Sequence, residues 1–217
     1  MKISTAFAAQ GAAAMDLYFA PLSCSLATRI ALHELGRPAG FHQVTLSTKT
    51  LADGSDYLAI NPKGQVPALR LDDGTILTEG PAVLQYVADL DPARGLAPPA
   101  GSLERYQLQQ WLNYIATEVH KAVFYMLFNP ACPPEGKAFA RDVLAPARYD
   151  LLSRHLEGRD FLLGGFSVAD AYLVTTLNWA APGGIDLKRW PVLAAYRERL
   201  LQRPAVARAV GEELALR

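Results

Sequence analysis

The sequence predicts an α/β unit of order β-α-β, β-β-α followed by an all-helical domain. Three observations predict it. Short apolar runs alternate with single helical patterns up to about position 90. Asp72-Asp73-Gly74 separates two such runs, which is a hairpin signal. Beyond the Pro/Ala/Gly stretch at 97–101, no strand pattern recurs and apolar residues follow helical spacing.

Each element has its own signature. Leu17-Tyr18-Phe19-Ala20 reads as a buried strand ended by Pro21. Cys24 to Leu35 reads as a helix with Ile30, Leu32 and Leu35 among its apolar positions, stopped by Gly36 and Pro38. Phe41 to Leu46 is a second strand, so the first pair is expected to be parallel. After an irregular link come Ala68-Leu69-Arg70-Leu71 and Thr75-Ile76-Leu77, then a helix from Gly80 to Leu90. Ser102 is the expected N-cap of a long amphipathic helix reaching Met126. Asn129 to Gly136 breaks it, and further helices are expected near 138–156, 168–180, 191–202 and 205–214. Ser167-Val168-Ala169-Asp170 reads as a capping box with Asp in place of Glu. The expected division is therefore 15–95, a linker at 96–101, and 102–217.

Whole-chain properties exclude several classes. The 217 residues, 51% of them hydrophobic, suffice for two small cores. The 21 basic and 21 acidic residues cancel and form no basic tract, which argues against nucleic acid or an anionic membrane as partner. No apolar run approaches the roughly 20 residues of a spanning helix. Cys24 and Cys132 form no CxxC pattern, so a reducing cytoplasm is the simpler setting. Met1-Lys2 and the small apolar residues after it faintly resemble a signal peptide, but Gln10 and Gly11 dilute the stretch. Residues 1–14 are expected to be a non-native or upstream leader, with Met15 the natural start.

Three sites carry the chemistry. A Val66-Pro67 bond entering a strand can be cis, which would present the Val66 backbone to a peptide as an added strand does. Glu79 offers a carboxylate to an amino group, and the free N–H of Gly80 at a helix start can take a carboxylate. Cys24 opens another helix, where the dipole favours thiolate. Together they describe a site for a small thiol peptide.

The chain resembles the glutathione transferases, and specifically the bacterial beta class, from Met15 to about Leu214. The motifs that carry the resemblance are Ala59-Ile60-Asn61-Pro62-Lys63-Gly64-Gln65-Val66-Pro67, Leu77-Thr78-Glu79-Gly80 and Gln85-Tyr86-Val87-Ala88-Asp89. In the second half they are Trp111 to Lys121 and Phe166-Ser167-Val168-Ala169-Asp170-Ala171-Tyr172. Pro21-Leu22-Ser23-Cys24-Ser25 matches the segment that sets the beta class apart.

The resemblance implies a thioredoxin-like domain and a helical domain in a cytoplasmic homodimer. It implies glutathione as cosubstrate, with no metal, nucleic acid or membrane involved. Val66 would pair by backbone with the cysteinyl unit, Pro67 holding the bend. Glu79 and the Gly80 amide would hold the γ-glutamyl end, and Lys49 the glycyl carboxylate. Asn113 would approach the glutathione of the partner subunit. His120 and Lys121 would line the second-substrate region, supplying positive charge or general-acid help. Cys24 would face the glutathione sulfur, either helping to hold a thiolate or forming a mixed disulfide. Tyr125 and Phe128 are candidates for the apolar second site, and Trp111 and Trp179 for the core. The implied activity is conjugation of glutathione to small hydrophobic electrophiles in detoxification. Thiol–disulfide exchange, peroxide reduction, isomerisation and non-catalytic ligand binding are the rivals. Gly80 departs from relatives that carry Ser there, which removes a hydroxyl donor, and Pro81 replaces a more usual aliphatic residue.

Overall fold

The computed structural model describes residues 15–216, so the expected leader at 1–14 lies outside the described residues. The first unit runs β1 Met15–Phe19, α1 Leu26–Leu35, β2 Ala39–Thr45, β3 Thr50–Leu51, β4 Ala68–Arg70, β5 Ile76–Thr78 and α2 Gly80–Asp89. The sheet order is β3-β2-β1-β4-β5, with β1 and β2 parallel and the other pairs antiparallel. This is the thioredoxin-like arrangement expected from the element order.

Strand alternation splits β1 between two cores. Met15, Leu17 and Phe19 face the main core with Leu69, while Tyr18 and Ala20 face a smaller one with Val44, Tyr57, Val66 and Ala68. Two features of the link went unforeseen: β3 and the single 3-10 turn Tyr57–Ala59. Each is too short to carry a period, and β3 forms through pairing with β2.

The helical half begins with α3 Leu103–Tyr114, capped by the Ser102 hydroxyl, which accepts from Arg105 N–H at 3.1 Å. The helix continues through a π-wound stretch, Ile115–Tyr125, and a last turn, Met126–Phe128. Helix α4 Pro134–Phe139 starts earlier than expected and encloses Gly136, because Pro134 presets the helical φ of the first turn. It leads through Ala140–Leu144 into α5 Ala145–Leu156. Then come α6 Val168–Leu177, α7 Pro191–Leu201 and α8 Pro204–Leu214.

All ten residues of α6 are buried, so this helix is covered on every side and forms the centre of the helical half. Its start is held by Asp170, whose Oδ2 accepts from the Ser167 N–H at 2.9 Å and hydroxyl at 2.7 Å. Helix α1 lies between the sheet and the helical half, against α2, α6 and α8. That contact fixes the loop before α1, where Cys24 sits.

Candidate active site

The segment 61–67 is rigid for local reasons. The buried Asn61 amide donates to Gln65 C=O at 2.7 Å, and the Tyr57 hydroxyl donates to the same oxygen at 2.7 Å. Gly64 has φ +60°, and a Cβ there would meet Lys49 Cε and Leu58 Cδ2 at 3.1 Å. Lys49 lies across this glycine and donates from Nζ to Gly64 C=O at 2.8 Å. The Val66-Pro67 bond is cis, as the sequence suggested. Val66 C=O accepts the Cys24 thiol, with Sγ at 3.0 Å, while Val66 N–H has no partner among the described residues.

Glu79 sits at φ +68°, an uncommon region for a residue with a side chain. Its carboxylate Oε1 accepts from Lys63 Nζ at 2.7 Å, and the same ammonium reaches Thr78 Oγ1 at 3.0 Å. At the start of α2, Gly80 N–H has no partner among the described residues, and Pro81 has no N–H to offer.

The loop carrying Cys24 is clamped from the helical half. Leu22 has φ +58°. Its N–H donates to the buried carboxylate of Glu213 at 2.6 Å, and its C=O accepts from Trp179 Nε1 at 2.8 Å. The Ser25 hydroxyl closes the turn against the Ala20 backbone at 3.2–3.3 Å. Cys24 keeps part of its surface open, and both cysteines are free thiols.

The ionisation of this site reverses two expectations. Burial pushes the Cys24 thiol up to about 11; the Lys121 charge, the Cys24 and Ser25 N–H groups and Ser23 pull the other way and are outweighed. Cys24 is therefore a thiol at neutral pH, because desolvation exceeds the helix-start field. Burial also pushes the His120 imidazole down to about 4, with the neighbouring Lys121 charge adding to the effect. His120 is neutral at pH 7 and supplies no positive charge. Its Nδ1 is 2.7 Å from the Tyr172 hydroxyl, and its ring stands edge-on to Trp179 at 5.0 Å. Lys121 is exposed, with Nζ 5.0 Å from the Tyr125 ring centroid.

Tyr172 is a residue the role assignments missed. Burial holds its hydroxyl well above the ordinary tyrosine range, and that hydroxyl meets His120 Nδ1 at 2.7 Å. Its signal was its place two residues after the capping-box aspartate. Lys63 was also missed, although it lies inside a motif that carried the resemblance. Beyond His120, the rings of Phe124, Phe128 and Trp179 stack or meet edge-on at 5.4–6.4 Å, and Tyr125 and Phe128 are exposed. Asn113 is exposed on α3, and no hydrogen bond of its side chain joins it to the other site residues.

A cleft of about 820 Å³ lies elsewhere, between the linker at Pro98, Trp111 on α3 and the loop at Leu163. It shares no residue with this site. Among the described residues, no group of three or more His, Cys, Asp or Glu could hold a metal, and no helix is long and apolar enough to cross a membrane.

A thioredoxin-like sheet with a cis-Pro segment facing a loop thiol, followed by an all-helical half, defines the class of glutathione-using transferases. The chain belongs to the glutathione S-transferase family, and within it to the bacterial beta class. The family's N-terminal domain matches residues 23–90 and its C-terminal domain residues 115–204. The chain is 44% identical to glutathione S-transferase GstA of Escherichia coli O157:H7 over 92% of its own length and 98% of the relative's. It is similar to the solved structure of a sphingomonad glutathione S-transferase complexed with glutathione, at 45% identity and TM-score 0.87, covering 91% and 98% of the two chains. The beta-class glutathione S-transferase of Sphingomonas chungbukensis gives 43% identity and TM-score 0.88 at the same coverage.

Proposed function

We propose that this chain conjugates glutathione to small hydrophobic electrophiles, with Cys24 acting as a protonated donor toward the glutathione sulfur. The observation that carries the reading is the 3.0 Å contact from Cys24 Sγ to Val66 C=O. It sets the loop thiol at the point where backbone pairing with Val66 would bring a cysteinyl unit. The sphingomonad relative holds glutathione, which supports the same ligand here.

In this reading the unpartnered Val66 N–H pairs with the cysteinyl backbone, and Pro67 keeps the segment bent. Lys49, already aimed at Gly64 C=O, takes the glycyl carboxylate. Glu79 takes the γ-glutamyl ammonium, and the Gly80 N–H faces its carboxylate. A free thiol has a pKa of about 8.5 and is a poor nucleophile at neutral pH. The Cys24 S–H, turned from Val66 to the incoming sulfur, and the Lys121 charge both favour the glutathione thiolate. That thiolate attacks the electrophilic carbon, forming a C–S bond as the leaving group departs. Neutral His120 and Tyr172 wall the site, and Tyr125 and Phe128 offer apolar contact to the electrophile.

The chain acts as a cytoplasmic homodimer in detoxification, its two domains being 15–95 and 102–217. Support for a second copy is the exposed face of α3, where Leu103 and Tyr106 stay 68% and 60% exposed on the side that bears Asn113. Asn113 would then reach the partner's glutathione.

The second reading is thiol exchange. A Cys24 thiolate would attack a sulfur of oxidised glutathione, release one glutathione thiolate and keep the other as a mixed disulfide. A thiol held near 11 makes this step slow, so conjugation is favoured.

The test measures conjugation to an activated halonitroarene, and intact mass after exposure to oxidised glutathione. Cys24→Ala should keep conjugation within about tenfold and lose any reductant-sensitive adduct. Glu79→Gln should raise the KM for glutathione by about tenfold. Absence of conjugation by the wild type, or an unchanged KM in Glu79→Gln, overturns the reading.

A further inference from the structure

The γ-glutamyl end of glutathione is a zwitterionic α-amino acid, with an ammonium and a carboxylate on one carbon. The site has an obvious acceptor for the ammonium in Glu79. Its donors for the carboxylate are sparse. Gly80 carries no hydroxyl, Pro81 has no N–H, and Ala82 N–H already donates to Glu79 C=O at 3.0 Å. The Gly80 N–H is left at this helix start, with the Glu79 N–H and the Thr78 hydroxyl near it; all are neutral donors, a weaker match for a carboxylate than a charged one.

Lys63 supplies what is missing. Its ammonium has three donors. Two are used, on Glu79 Oε1 at 2.7 Å and Thr78 Oγ1 at 3.0 Å. The third has no partner among the described residues. Glu79 Oε2 likewise accepts no hydrogen bond among the described residues. Both side chains stay open, Lys63 at 53% and Glu79 at 66% exposure, so each charge can face a ligand. A Cβ built on Gly80 meets no atom within 4 Å, so the ground beside the pair is empty.

We propose that Lys63 and Glu79 act as a paired-charge reader of the zwitterionic α-amino acid head, Glu79 Oε2 taking the ammonium while Lys63 and the Gly80 N–H take the α-carboxylate. The pair and the head then lie as opposed dipoles, plus to minus at both ends. The existing contact leaves Glu79 positioned and an oxygen free, so Lys63 orients the acceptor without plugging it. An exposed ion pair holds its partners weakly, so re-aiming the free donor costs little. The proposal rests on the glutathione reading above and deepens it, by adding Lys63 as a specificity-determining contact to the α-carboxylate.

The test is calorimetric binding of three peptides to wild type, Lys63→Gln, Lys63→Arg and Glu79→Gln. The peptides are glutathione, its analogue lacking the γ-glutamyl α-carboxylate, and its analogue lacking the α-amino group. Lys63→Gln should weaken glutathione by about five- to tenfold, and Lys63→Arg should restore most of it. The decarboxylated analogue should bind wild type and Lys63→Gln alike, whereas the deaminated analogue should still feel the loss. Tighter glutathione binding by Lys63→Gln would show that Lys63 competes with the ligand ammonium, and overturns the proposal. Equal weakening of glutathione and the decarboxylated analogue would reduce Lys63 to a prop for Glu79, and overturns it too. If glutathione fails to bind wild type, or binds Glu79→Gln unchanged, the glutathione reading itself fails and takes this one with it.

Discussion

Asp170→Ala should be among the most damaging single changes in this chain. Asp170 is fully buried and accepts four hydrogen bonds: Leu162 N–H at 2.9 Å, Ser167 N–H at 2.9 Å, the Ser167 hydroxyl at 2.7 Å and the Tyr196 hydroxyl at 2.7 Å. Truncation strands two backbone N–H groups and a tyrosine hydroxyl away from water. Each stranded donor costs about 1–3 kcal/mol, so the sum is about 3–9 kcal/mol. The burial cost of the carboxylate itself offsets part of that, since burial already holds its pKa above the usual range. The net expectation is a loss of about 3–4 kcal/mol. Asp170→Asn keeps an acceptor for Leu162 and Tyr196 but turns an NH2 toward the Ser167 N–H, so it should lose about half as much. Urea unfolding of both variants, read by tryptophan fluorescence, gives the two values. The same helix places Tyr172, so conjugation should fall together with stability in both. A loss under about 1 kcal/mol for Asp170→Ala would refute the reasoning, because it would mean that those donors find other partners.

Two further perturbations probe the site. Gly64→Ala forces a side chain into φ +60° and against Lys49 and Leu58; it should cost about 1–2 kcal/mol and raise the KM for glutathione more than it lowers kcat, in steady-state assays at varied glutathione. The folded His120 pKa, about 4, is depressed below its unfolded value of 6.5, so the unfolded chain binds the proton first. Stability should therefore fall as pH drops from 6.5 toward 4, by at most about 3 kcal/mol from this group, and be retained above that window. An NMR titration placing the His120 midpoint near 6.5 would reject the buried, neutral imidazole.

What the sequence by itself determined is what short-range physics decides. The unbroken apolar run Leu17-Tyr18-Phe19-Ala20 marks a buried strand, Asp73-Gly74 marks the hairpin, and Ser167 with Asp170 marks the start of α6. These signals lie within a few residues, so the chain carries them before it folds. The motifs around Cys24, Val66-Pro67 and Glu79 also located the candidate site, because backbone geometry and residue type travel together there. What only the tertiary structure decided is charge and partnership. The direction of the Cys24 shift and the neutrality of His120 follow from burial by segments distant in the chain, and desolvation is invisible to local pattern. The Leu22 peptide is gripped by Glu213 and Trp179, which stand 191 and 157 residues away. Lys63 finds Glu79 across 16 residues of loop and hairpin, a meeting that the β4–β5 turn brings about and no spacing rule announces.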